Sequence, residues 1–418
     1  MFRIGLLAAW LCAAAHAEVL VLDVAGGGDF ITLQEVVLGA QDGDIVLVRP
    51  GVYVTGTVLS VVTFGGKSLT IIADGTGPVD FPSIWITGIG AGQTFVLRGV
   101  RLVAGDPFGP GPIRLLADNS EGTILIEDCL IAGKGNDANV EISSALKIVD
   151  ASVVIESCEI LGGPGLDDEA TFKPAGWALK VLAGRVTVSD SILLGGAGAS
   201  ETLGNPFIGA GPGGDALHAI DSDVTISGCT LTGGVGGHDT GTPSSSQAAP
   251  AGGSALVADV TSLVRLRDSV LTGGAGGTDA SGVDGPDGAD IDAPAASVVQ
   301  LAGEARTVHV DAPTAEGNAG QIQSGGEPGE LLLLLVSLDG AWIDVPKFDG
   351  VLLVGSQAAG PIVLGSPDGT GELRTGFVVP DLGMSPGTGV RAITQVVGLA
   401  GTSAVLGDAS VSVILAGP

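Results

Sequence analysis

Four basic side chains recur at one place in a repeated strand. Arg114, Lys147, Lys180 and His218 each follow an apolar pair, in the segments GPIRLL, SALKIV, WALKVL and DALHAI. Strands stacked side by side bring such positions to about 4.8 Å apart. The four would then form a positive stripe suited to the carboxylate or sulfate groups of an acidic polysaccharide. Val257 and Gln300 continue the column. The plainer use of such side chains is to cover an outer face with their stems.

A second column carries acid–base potential. Glu127 and Glu156 occupy equivalent places, with Arg98 before them and Ser189, Ser227 and Arg267 after. Two neighbouring carboxylates on an outer face could act as general acid and base on a glycan. No oriented partner or supporting motif accompanies them, and neither His238 nor His309 has a nameable partner. A nucleophile triad has no signature here. Two readings stay open: a noncatalytic protein that binds polysaccharide, and a divergent lyase or glycoside hydrolase. The balance leans away from catalysis.

The glycine-rich loops raise metal chemistry. GGPGLD from Gly162 fits the start of a calcium-binding nonapeptide, and Asp167 and Asp168 close it. The loop from Asp284 through Asp287 to Asp292 offers further oxygen ligands for a hard cation. The nonapeptides are not tandem, so the favoured use of these glycines is turns at positive φ. Calcium is the one ion the loops suit, and no organic cofactor is implied.

These residues need an exported, β-rich frame. Arg3, the apolar run over residues 5–15 and Ala15-His16-Ala17 read as a leader with a small-residue cleavage site, which makes 1–17 a signal peptide. The run is too short for a membrane span, which needs about 20 residues. Export leads to the cell surface, the medium or the periplasm. A formal charge of −29 disfavours nucleic acid and anionic membranes as partners. Cys12 leaves with the leader, and Cys129, Cys158 and Cys229 remain, without the spacing of a zinc site.

The frame itself is a repeat. TFVLRGVRLVAG, TILIEDCLIAG, SVVIESCEILGG, RVTVSDSILLGG, DVTISGCTLTGG and LVRLRDSVLTGG superimpose on an anchor column of Val100, Cys129, Cys158, Ser191, Cys229 and Ser269. Leu102, Ile131, Ile160, Leu193, Leu231 and Leu271 follow two residues later and should stack inside. Both arms alternate with period two, as half-buried strands do, and a Gly, Asp or Ser stands at the bend between them. Cys129 and Cys158 should be inward neighbours that pack as thiols rather than join. A further strand, SALKIV and its kin, precedes most copies, and ASVVQL from Ala296 looks like another. A constant core with loops of growing length is the signature of a solenoid. The expected fold is all-β: a right-handed parallel β-helix over 18–316, then a small β-sandwich over 317–418.

A solenoid needs a cap. Thr32-Leu-Gln-Glu35 is a capping box, and Leu33, Val36, Val37 and Ala40 follow at helical spacing. The segment DVAGGGDFITLQEVVLGAQDGDIVLVRPGVY, residues 23–53, resembles the start of the pectin-methylesterase-like and pectate-lyase-like β-helix superfamily. That resemblance implies a short helix plugging the barrel before the first coils. The family's catalytic motifs are absent: Gly133-Lys-Gly-Asn-Asp137 stands where a Q-D-T-L-Y-like stretch would be, and the L-G-R-P-W-like motif is missing. The C-terminal part is similar to β-modules appended to secreted repeat proteins of environmental bacteria. Its expected roles are covering the open end of the solenoid, surface attachment, or both.

Overall fold

The computed structural model describes residues 17–53, 61–103, 113–135, 144–168, 171–173, 175–200, 210–239, 248–345, 348, 350–355, 358–400 and 403–417. The expected leader, 1–17, lies outside them except for Ala17. Among the described residues the molecule is all-β with one short α-helix, and most of its strands pair in parallel.

Three sets of strands recur. One set runs through Ile45–Val48, Thr70–Ala73, Thr94–Arg98, Arg185–Ser189, Asp223–Ser227 and Leu263–Arg267, with the second halves of Leu115–Glu127 and Ser144–Glu156 between them. The first halves of those two long strands join Ser83–Thr87 to Trp177–Leu182, Leu217–Ile220 and Leu256–Ala258 in another. The third is an eight-stranded sheet from Gly51–Val52 to Val270–Thr272. All three turn alternate apolar side chains into one shared core, for example Ile126, Ile148 and Ile131. Leu102, Ile131, Ile160, Leu193 and Leu231 are fully buried there, as period-two alternation requires. Leu271 is only partly buried, because its strand is the sheet's last and has a neighbour on one side.

The bends follow the sequence. Gly99, Asp128, Ser157, Asp190, Gly228 and Asp268 all have positive φ, between 44° and 74°. This is the left-handed region that Gly enters freely and Asp tolerates. At the anchor column the amide of Cys129 donates to Cys158 Sγ at 3.5 Å, Cys158 to Ser191 Oγ at 3.0 Å and Cys229 to Ser269 Oγ at 3.1 Å. The three thiols are free and buried. Thr32 and Glu35 form the capping box of the helix Leu33–Gly39, whose Leu33 and Val36 enter the core. Lys67 Nζ closes the other end of that helix by donating to Val37 O and Ala40 O.

The glycine pairs are not turns. Gly196, Gly214, Gly234, Gly253 and Gly274 lie outside the left-handed region, and their amides donate to carbonyls of neighbouring segments at 2.8–3.0 Å. A Cβ on Gly234 would stand 1.9 Å from Gly196 O, and one on Gly253 2.0 Å from Gly214 O. These segments are extended chains packed backbone to backbone, where only glycine fits, as at the crowded axis of collagen.

The C-terminal part forms an antiparallel layer. Leu331–Ser337 pairs with Ala359–Gly365 and Thr388–Ala400, and the latter with Ser403–Leu415. It lies along the side of the first strand set rather than across its end. Val96, Leu125 and Val154, which point away from the shared core, bury themselves against Leu353, Ile393, Ala409 and Val411. The end strands Val270–Thr272 and Ile291–Asp292 remain partly exposed.

Candidate functional site

The register corrects the basic stripe. Lys147 pairs with Lys180 and Lys180 with His218, as expected, but the residue beside Lys147 is Leu116, not Arg114. A two-residue bulge after Ser120 lengthens that repeat, and its strand starts at Leu115. Arg114 turns inward, buried, and donates to Ala132 O at 3.2 Å and Pro82 O at 3.1 Å. At the other end Asp292 stands beside Val257, while Gln300 belongs to the first strand set beside Leu266. The segment ASVVQL is therefore a copy of the anchor arm.

The true column is Thr63, Trp85, Leu116, Lys147, Lys180, His218, Val257 and Asp292. Trp177, at the start of its strand, stacks on the His218 ring at 4.3 Å between centroids. Lys180 Nζ lies 4.7 Å from the Trp177 ring centre, a cation–π distance, and its side chain is buried. Asp215 Oδ2 accepts from His218 Nδ1 at 3.3 Å. Trp85, 39% exposed, stands beside Thr63 near one end of the column. The arrangement offers an aromatic and two partly exposed basic side chains, Lys147 and His218, on one face.

The acidic column keeps its register: Arg98, Glu127, Glu156, Ser189, Ser227 and Arg267 stand side by side. It does not face solvent. Glu127 and Glu156 are each 2% exposed, because the strand Ser403–Leu415 lies over them. Ser410 Oγ donates to Glu127 Oε1 at 2.6 Å and the Val411 amide to Oε2 at 2.9 Å. Arg98 reaches across to Val310 O and Val411 O and bonds Asp128 Oδ2 through Nε at 3.1 Å. Burial pushes the Glu127 carboxyl up to about 7 against the pull of Arg98. Burial, then the charge of Glu127, holds Glu156 well above the carboxylate range, and burial does the same to Asp408. As an acid–base pair open to a polymer, Glu127 and Glu156 are ruled out by their cover.

His309 gains partners that the sequence did not show. It sits at the seam between the two layers, its Nδ1 3.9 Å from Glu127 and 3.8 Å from Asp128. Two clefts meet there. One, about 210 Å³, includes Glu156, Asp190, His309 and Arg374; the other, about 470 Å³, includes Arg98, Asp128 and His309. No spacing rule could have found this cluster, since 181 residues of chain separate Asp128 from His309.

The loop aspartates serve the backbone. Asp287 Oδ1 accepts the Gly276 amide at 2.9 Å and Asp290 Oδ1 the Gly273 amide at 2.8 Å, which satisfies donors of the last repeat. Asp284 is exposed. Asp167 and Asp168 lie in the strand Leu166–Asp168, paired with Thr171–Lys173. Among the described residues, the group of three side chains close enough to share an ion is Glu127, Asp128 and His309.

No protein-family model and no curated protein matches this chain.

Proposed function

We propose that this chain is a noncatalytic exported surface or matrix protein that binds acidic polysaccharide on the face carrying Trp85, Lys147 and His218. In this reading the three parallel strand sets wind as a right-handed β-helix of the pectate-lyase-like kind, and 1–17 is removed on export. The observation that carries it is the register of Lys147, Lys180 and His218, with Trp177 stacked on the histidine. An aromatic ring beside cations suits a sugar that bears carboxylate or sulfate. The cover over Glu127 and Glu156 favours binding over turnover.

A second reading, a divergent lyase or hydrolase, draws on the two clefts at His309. A glycan array on the purified protein, followed by reducing-sugar and unsaturated-product assays on the hits, separates the two. Binding to acidic glycans without product supports the first. Product formation replaces it with the second, and binding confined to neutral glycans removes the charged face from either.

A further inference from the structure

We propose that Glu127, Asp128 and His309 bind one divalent transition-metal ion of the zinc class in the seam between the parallel sheet and the C-terminal layer. One ligand atom from each of the three lies within 4.8 Å of the others. With His309 Nδ1 3.9 Å from Glu127 Oε1 and 3.8 Å from Asp128 Oδ1, a small closure brings all three to the ~2.0–2.2 Å of zinc bonds. An imidazole with two carboxylates is a donor set for zinc and its neighbours, whereas calcium takes oxygen alone.

Glu156 gives a second, independent observation. It is buried beside Glu127 on the next strand, its Oε2 has no hydrogen-bond partner, and it lines the same cleft as His309. A buried carboxylate oxygen left bare is costly, and a cation nearby relieves it. Glu156 and Asp190 line that cleft together with His309 and Arg374, and Asp128 lines the adjoining one with Arg98 and His309.

Arg98 borders the position, its Nη1 3.4 Å from Glu127 Oε1. It holds Asp128 through Oδ2, leaving Oδ1 toward His309, and a donor bonded to a metal-binding carboxylate orients it. An ion on Nδ1 places the imidazole proton on Nε2, which lies 3.5 Å from the Arg98 guanidinium. The ring is 36% exposed. The ion would tie the strand Thr307–Val310, which carries His309, to the parallel sheet. This site is independent of the polysaccharide face.

Titration calorimetry of the purified protein with zinc chloride, paired with thermal unfolding, tests this. The expected result is one saturable equivalent that raises the Tm. His309→Ala and Asp128→Asn should each weaken binding by about tenfold or more, and Asn accepts the left-handed backbone at 128. His238→Ala, an exposed histidine bonded to Thr278, should bind as the wild type does. Absence of saturable binding, or equal affinity in His309→Ala and the wild type, would overturn the site.

Discussion

Ser410 donates its hydroxyl to Glu127 across 283 residues of chain, at 2.6 Å and wholly buried. That bond fixes the C-terminal layer on the parallel sheet, because the same hydroxyl also accepts the Val310 amide at 3.2 Å. Ser410→Ala leaves both groups short of a partner. The expected loss is about 1–3 kcal/mol of unfolding free energy, read from urea denaturation. A loss within experimental error would mean that the layer is held by its apolar contacts alone.

Asp408 lies in the same interface, held well above its ordinary range by burial. A carboxyl whose folded pKa is raised binds its proton more tightly when folded, so stability falls as pH rises above the ordinary value of 3.8 through the folded one. Asp408→Asn removes that dependence. The variant should gain on the wild type as pH rises from 5 to 9, as followed by thermal unfolding. A constant gap between the two proteins would show that Asp408 does not titrate in this range.

The glycine segments make a sharp contrast. Gly253→Ala sets a Cβ against Gly214 O and should cost about 3 kcal/mol or more, since backbone cannot yield. Gly369 has open space around it and lies outside the left-handed region. Gly369→Ala should therefore be neutral or stabilise by about 0.4–1 kcal/mol through the unfolded chain. Equal tolerance at both positions would contradict the backbone-to-backbone packing.

Burial pushes the Cys229 thiol up to about 12 and Cys158 higher than usual. A thiol reagent at pH 8 should find Cys158 and Cys229 unreactive in the folded protein, because the thiolate is the attacking form, and Cys129 unreactive because it is buried. All three should react once the protein is unfolded without reductant. A single reactive thiol would mean that Cys129 and Cys158 are joined.

Much of the fold was legible because alternation of period two survives in every repeat. The inward columns, the Thr32–Glu35 box and the bend residues could be placed from the sequence alone. The cover over Glu127 could not, since a residue pointing away from one core alternates identically whether it meets water or another sheet. Val96, Leu125 and Val154, apolar on that outward side, were the available hint. Arg114 misled because Ile113-Arg114 imitates the apolar–basic pattern two residues before the true position, and the bulge after Ser120 hides the offset. The glycine pairs suit turns as well as extended packing, and only their period-three spacing, Gly233, Gly236 and Gly234, Gly237, marks the packed backbone. The seam cluster at His309 had no local signal at all.

The most direct test of the central claim is a binding titration of an acidic hexuronate oligosaccharide against the wild type, Lys147→Gln and Arg114→Gln at low and physiological salt. Exposed charge pairs are screened beyond about 8–10 Å at physiological ionic strength. The wild type should bind, and added salt should weaken it. Lys147→Gln should bind less tightly at unchanged Tm, because surface substitutions usually cost under about 0.5 kcal/mol. Arg114→Gln should lower the Tm yet keep wild-type affinity, since its guanidinium bonds Pro82 O and Ala132 O away from that face. Wild-type binding that ignores salt and survives Lys147→Gln, or no binding at all, would contradict the account.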